Sequence, residues 1–125
     1  MKHILTCSFG KDSIATALLA LQHGEPLDEL VYSEVMFSDT VSGELPEHKR
    51  FIYETAIPYF EKRGIPTRVL RGQKTYLDCF YRIVSRGNAE GKLASFPLTG
   101  RCSIQRDCKL PPIRTYQKTL PQDTV

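Results

Sequence analysis

The sequence predicts an α/β fold, a parallel sheet with flanking helices, and three observations carry that expectation. Apolar runs of strand length alternate with stretches of helical periodicity along the chain. The first two of those runs each end in a loop rich in Gly, Ser, Asp and Thr, as the carboxyl ends of buried parallel strands commonly do. No apolar run approaches the ~20 residues needed to span a bilayer, and no membrane partner is expected.

Residues 4–7, Ile-Leu-Thr-Cys, form a short apolar run closed by a glycine loop and are expected as the first strand. From Asp12 the period changes. Ile14, Ala17, Leu18 and Leu21 fall at i, i+3, i+4 and i+7, one face of a helix that Gly24 and Pro26 should end. Residues 30–37 are the second expected strand, and Ser38-Asp39-Thr40 leaves its carboxyl end. Pro46 suits a first helical turn with Glu47 behind it, and Tyr53, Ala56, Ile57 and Phe60 repeat the helical spacing until Gly64. Pro58 inside this pattern removes the hydrogen bond to the Glu54 carbonyl and should kink the helix. Residues 67–70 are a third strand, residues 76–84 a helix, and residues 85–100 a mobile loop rich in Gly, Ser and Asn. Strands and helices in this order imply right-handed crossovers.

At 125 residues, with 41% hydrophobic and 25% charged residues, the chain is expected to be one soluble domain, 1–125. Its start is too short and too polar for a signal peptide, and a cytoplasmic location is expected by default. Cys7, Cys79, Cys102 and Cys108 form no CC or CxxC pair, so neither a zinc ribbon, nor a redox pair, nor an iron–sulfur cluster is expected. Cys7 and Cys79 suit the core, whereas Cys102 and Cys108, beside arginines, are candidate low-pKa thiols. His3, His23 and His48 lack metal-ligand spacing and are expected at the surface or at strand ends; no metal ligands are assigned. Residues 1–62 hold 5 Lys and Arg against 10 Asp and Glu, and residues 63–125 hold 12 against 4, giving balances of −5 and +8. The basic half places Arg101, Arg106, Lys109 and Arg114 in one short stretch, which makes a polyanionic ligand the working expectation. Nothing specifically indicates nucleic acid.

Ser8-Phe9-Gly10-Lys11-Asp12-Ser13 joins the first strand to the first helix. Amides at a helix start lack intrahelical partners, and the helix dipole favours anions there. Ser8 and Ser13 can donate hydroxyls, Gly10 lets the backbone approach a phosphate, Lys11 adds positive charge, and Asp12 suits the N-cap. The spacing is neither that of a Walker A loop nor that of a GxGxxG fingerprint.

The loop resembles the PP-loop, Ser-Gly-Gly-x-Asp-Ser, of the N-type ATP pyrophosphatases and phosphoadenosine phosphosulfate (PAPS) reductase-like proteins, with Phe9 at the first glycine. Asp39-Thr40, Pro46-Glu47 and Phe51 are similar to the Asp-Thr-Gly…Pro-Glu…Phe segment of that superfamily, with Val41 replacing its glycine. Residues 101–113, from Arg101 and Cys102 to Lys109 and Ile113, are similar to its Arg-x-Cys-Thr-x3-Lys-x2-Pro-Ile stretch, though two residues longer between Cys102 and Lys109. The resemblance spans about residues 3–114. It implies a Rossmann-like adenine nucleotide α-hydrolase (HUP-type) fold that binds ATP or PAPS, with Mg²⁺ expected through Asp12 or Asp39. Residues 8–13 would hold phosphates, Lys11, Asp12 and Asp39 would be catalytic, and Arg101, Arg106 and Lys109 would bind the substrate anion.

Three activities fit this resemblance. The first is nucleotidyl transfer with release of pyrophosphate, and the second is sulfonucleotide reduction, whose C-terminal nucleophilic cysteine has no counterpart after Cys108. The third is non-catalytic nucleotide binding as a subunit. The superfamily fold also places a further strand beside the first one, and no strand-like run follows Ile113. The C-terminal part of the usual fold is therefore expected to be missing, and the first strand to present an apolar edge through which the chain self-associates. Coverage of that edge by the C-terminal segment or by another subunit are the alternatives.

Overall fold

The computed structural model describes residues 1–96 and 102–125. Three parallel strands, β1 (Ile4–Thr6), β2 (Glu29–Glu34) and β3 (Thr67–Arg71), form one sheet in the order β1-β2-β3. Ile4 pairs with Glu29 and Thr6 with Val31, while Leu30 to Glu34 pair in step with Thr67 to Arg71. Every residue of the central strand is buried, because helices cover both of its faces.

Alternation along β2 sends Leu30 and Tyr32 to one face, where they meet Ala17 of α1 (Lys11–His23). Ile52, Ala56, Ile57 and Phe60 complete that core from a helical stretch made of α2 (Pro46–Phe51), a π-helical turn (Ile52–Ala56) and α3 (Ile57–Glu61). On the opposite face Ser33 donates to the Lys109 carbonyl at 3.0 Å, and Tyr116 donates to Glu29 at 2.7 Å. Both partners belong to a π-helical turn (Gln105–Lys109) running into α5 (Leu110–Gln117). That C-terminal helix lies in the basic stretch, where sequence periodicity is hidden by Pro111 and Pro112; both sit in its first turn, where a missing N–H costs no helical bond.

Two buried glutamates tie the ends of β2 to β3. Glu29 receives Arg68, Lys2 and Tyr116, and Glu34 receives Arg71, Ser42 and Tyr53. Burial raises both carboxyls, but these donors outweigh it and hold each below the ordinary value of 4.5.

Several elements differ from expectation. β1 and β2 stop at Thr6 and Glu34; beyond them Cys7 still donates to the Val31 carbonyl, and Met36 bridges Ser42. Pro58 meets a rearranged backbone, with no regular helical bond lost at it. The turn before it widens, so that the Ile57 amide bonds the Ile52 carbonyl, and Pro58 falls in the first turn of α3. The fourth helix, α4, is only Tyr76–Phe80, started by a Thr75–Asp78 capping box. Ile83, inside the helix expected over residues 76–84, is exposed and bridges Leu93 instead. Residues 82–94 are thus tied back on themselves, with Val84 donating to Lys92 and Ala94 to Arg82. The remainder of that expected loop, 97–100, lies outside the described residues, as does Arg101.

The outer edge of β1 is capped at one end. Val125 donates to the Lys2 carbonyl and accepts from the Ile4 amide, both at 2.8 Å, in the pattern of a parallel bridge. The edge expected to be bare is therefore partly covered by the chain's own C-terminal residue.

Candidate functional site

The loop after β1 is held in an unusual conformation. Phe9 has φ 57°, the left-handed region that favours glycine, at a cost of roughly 1–2 kcal/mol for an L-residue. Its side chain is 1% exposed and packs edge-on against Tyr32 at 5.4 Å between ring centroids. Burial of a phenylalanine is worth about 1.5–3 kcal/mol, enough to offset the backbone strain. Glycine would adopt this backbone freely; here a buried ring replaces that freedom.

Gly10, not Asp12, is the N-cap of α1, with extended backbone at φ −74° and ψ 168°. Asp12 is the second residue of the helix, exposed in its first turn, so its expected capping role is corrected. The Ser8 and Ser13 hydroxyls are 3.4 Å apart across the mouth of the loop, and Ser13 donates to the Gly10 carbonyl. The Gly10 amide reaches Ser8 only at 3.5 Å. The amides of Lys11, Asp12 and Ser13 have no acceptor among the described residues. Lys11 is exposed and pairs with no acid among them. The loop thus offers a row of donors, two hydroxyls and a cation at the carboxyl end of a parallel strand.

A cleft of about 540 Å³ opens beside this loop, lined by Ser8, Tyr32, Ser33, Glu44, Tyr76 and Lys109, among others. Gly43 on its rim leaves no room for a side chain, since a Cβ there would lie 2.6 Å from the Val35 carbonyl and 2.9 Å from the Tyr76 ring. Tyr32 donates to Glu44 at 3.1 Å, and burial raises its hydroxyl far above the ordinary tyrosine range. A second cavity, about 620 Å³ between β3 and α5, contains none of the loop residues.

No protein-family model, curated protein or solved structure matches this chain at a significant level.

The expected site residues separate into two groups. Ser8 and Lys109, 101 positions apart in sequence, line one cleft. Arg106 does not join them: it is exposed and forms a two-pronged pair with its neighbour Asp107 at 2.7 and 2.8 Å. Asp39 is exposed on the loop after β2, where Phe37 and Ser38 donate to the Val41 carbonyl, and it does not line the cleft. Among the described residues no cluster of three or more His, Cys, Asp or Glu is arranged to hold a metal. Glu44 is the one carboxylate among the described lining residues, and Tyr32 and His48 already engage it. Among the described residues none form a cage for Mg²⁺.

The cysteines are also redistributed. Cys108 is fully buried with its sulfur 3.4 Å from that of Cys79, a pairing that a separation of 29 positions conceals in the sequence. Burial, and then the Cys79 contact, pushes the Cys108 thiol up to about 12, so the expected low-pKa thiol is corrected. Cys102 remains exposed at the cleft. His48 departs furthest from expectation: it is half-buried, with one ring nitrogen 3.1 Å from the Phe9 carbonyl and the other 2.9 Å from Glu44. Only its place near Pro46-Glu47 in the sequence hinted at the site.

Proposed function

We propose that this chain is a PP-loop-type nucleotide-binding domain of the adenine nucleotide α-hydrolase kind, which takes ATP or PAPS in the cleft beside residues 8–13. The observation that carries the reading is the row of amides at Lys11, Asp12 and Ser13, open at the start of a 13-residue helix and flanked by two serine hydroxyls. Such a terminus matches an anionic ligand in both hydrogen bonding and dipole. Lys11 supplies a charge to a terminal phosphate, and Lys109 supplies one from the lining of the cleft.

Nucleotidyl transfer with departure of pyrophosphate suits these groups, since it requires positioning and charge neutralisation more than a covalent nucleophile. The amides and Lys11 would hold the departing pyrophosphate. Mg²⁺ would arrive with the nucleotide's own phosphates. Cys102, exposed on the cleft wall, is the observation that keeps thiol chemistry as a second reading.

Calorimetric titration with ATP, PAPS, adenosine phosphosulfate and AMP tests the binding, and a pyrophosphate-release assay tests turnover. Saturable ATP binding without release would make the domain a non-catalytic binder. Absence of binding to all four would remove the nucleotide reading.

A further inference from the structure

We propose that His48 is a doubly protonated clamp that fixes the anion loop in its binding conformation and neutralises Glu44 on the cleft wall. The inference deepens the nucleotide reading and rests on it for the identity of the ligand.

The imidazole ring has two partners. Nε2 faces the Phe9 carbonyl oxygen at 3.1 Å, and Nδ1 faces Glu44 Oε2 at 2.9 Å. A carbonyl and a carboxylate only accept hydrogen bonds, so both ring nitrogens must carry hydrogen. A neutral imidazole would satisfy one partner and turn a lone pair toward the other. The imidazolium satisfies both.

The two bonds act on different parts of the site. The Phe9 carbonyl belongs to the peptide whose N–H is that of Gly10, so the bond from His48 orients the peptide plane entering the donor row. It does so at the residue with φ 57°, where the backbone is least inclined to stay. Glu44 lines the cleft with Ser8. Left uncompensated, its charge would oppose an incoming phosphate; paired with the imidazolium, it is cancelled.

The surroundings of His48 are few. Glu44 approaches from the loop ahead of α2, and Tyr32 of β2 reaches it only through Glu44. The Phe9 carbonyl comes from the β1–α1 loop, and the Phe51 ring of α2 stacks at 6.4 Å with an interplanar angle of 12°. Glu44 is its one charged partner among the described residues. The Glu44 hydrogen bond, then the Phe9 carbonyl, hold the imidazole above its ordinary 6.5 against a smaller opposing effect of burial. The clamp is therefore closed below that ordinary value and opens as pH rises through the higher folded one.

The test uses the full chain labelled with ¹⁵N. Near neutral pH the His48 ring should show two N–H groups, and the amides of Gly10, Lys11 and Asp12 should shift with its titration. The ATP affinity of the native protein relative to His48→Gln should fall about tenfold from about pH 6 to about pH 9, the scale of one lost charge-assisted hydrogen bond. Should His48→Gln fail to fold, Glu44→Gln serves instead: it should bring the His48 titration toward the ordinary value and flatten the pH dependence. If ATP binds at no pH while the loop amides still follow a doubly protonated His48, the nucleotide reading falls and the clamp stands. If His48 titrates at its ordinary value, or the loop amides ignore it, the clamp is overturned and the nucleotide reading is untouched.

Discussion

Replacing Gly10 by alanine separates binding from folding. An added Cβ would meet only the Ser8 hydroxyl, at an ordinary 3.5 Å, and φ −74° is open to any L-residue. Removing glycine's freedom from the unfolded chain stabilises by about 0.4–1 kcal/mol. Alanine is a poorer N-cap than glycine by a similar amount, on the order of 1 kcal/mol. The two nearly cancel, so the melting temperature should move by no more than a few degrees, roughly the shift of 1 kcal/mol in a domain of this size. Binding responds differently. A phosphate oxygen accepting from the loop amides sits about 2.9 Å from nitrogen, and the new methyl group occupies its path beside Ser8. Loss of one such charge-assisted bond weakens ATP at least tenfold, about 1.4 kcal/mol. Melting curves and calorimetric titration of the same preparation provide both readings. A variant with unchanged melting and unchanged ATP affinity would refute the reasoning, because phosphate would then not approach this backbone.

Other outcomes follow from the same geometry. Phe9→Gly removes the backbone strain but also a ring that is 1% exposed, so it should destabilise by about 2 kcal/mol net, read by urea titration; equal or greater stability would show that the ring offsets nothing. Glu29 and Glu34 lie below the ordinary carboxylate value of 4.5, so the stability they contribute is present above it and lost as pH falls through their lower folded values. Acid unfolding curves of Glu34→Gln should accordingly lose part of that slope. With a thiol-specific reagent, Cys102 should react at once, whereas Cys108, buried and pushed up to about 12, should react only on unfolding.

How much of this was legible in the sequence depended on how local the signal is. The first helix and the three strands are legible because spacing within about ten residues encodes them, and the loop of residues 8–13 is legible because its residues adjoin. The helix at Leu110–Gln117 was missed because its two prolines look like breakers until they are placed in the first turn. The end of α4 at Phe80 was missed because Ile83 continues the apolar period yet serves a bridge to Leu93. Arg106 looked like an anion ligand because the sequence shows a charge but not that Asp107 already satisfies it. Glu44 and His48 are seen only when β2, the loop after it and the β1–α1 loop meet in space. The left-handed Phe9 is hidden for the same reason, since only its burial against Tyr32 makes that backbone tolerable.

The central claim is that residues 8–13 grip an adenine nucleotide through backbone amides, and amide-resolved NMR titration of the native protein with ATP tests it most directly. Saturable shifts should concentrate at Ser8 to Ser13, with smaller ones at Lys109 and Glu44 in the lining of the cleft. Saturable shifts confined to the cavity between β3 and α5, or no shifts at the loop at millimolar ATP, would contradict it.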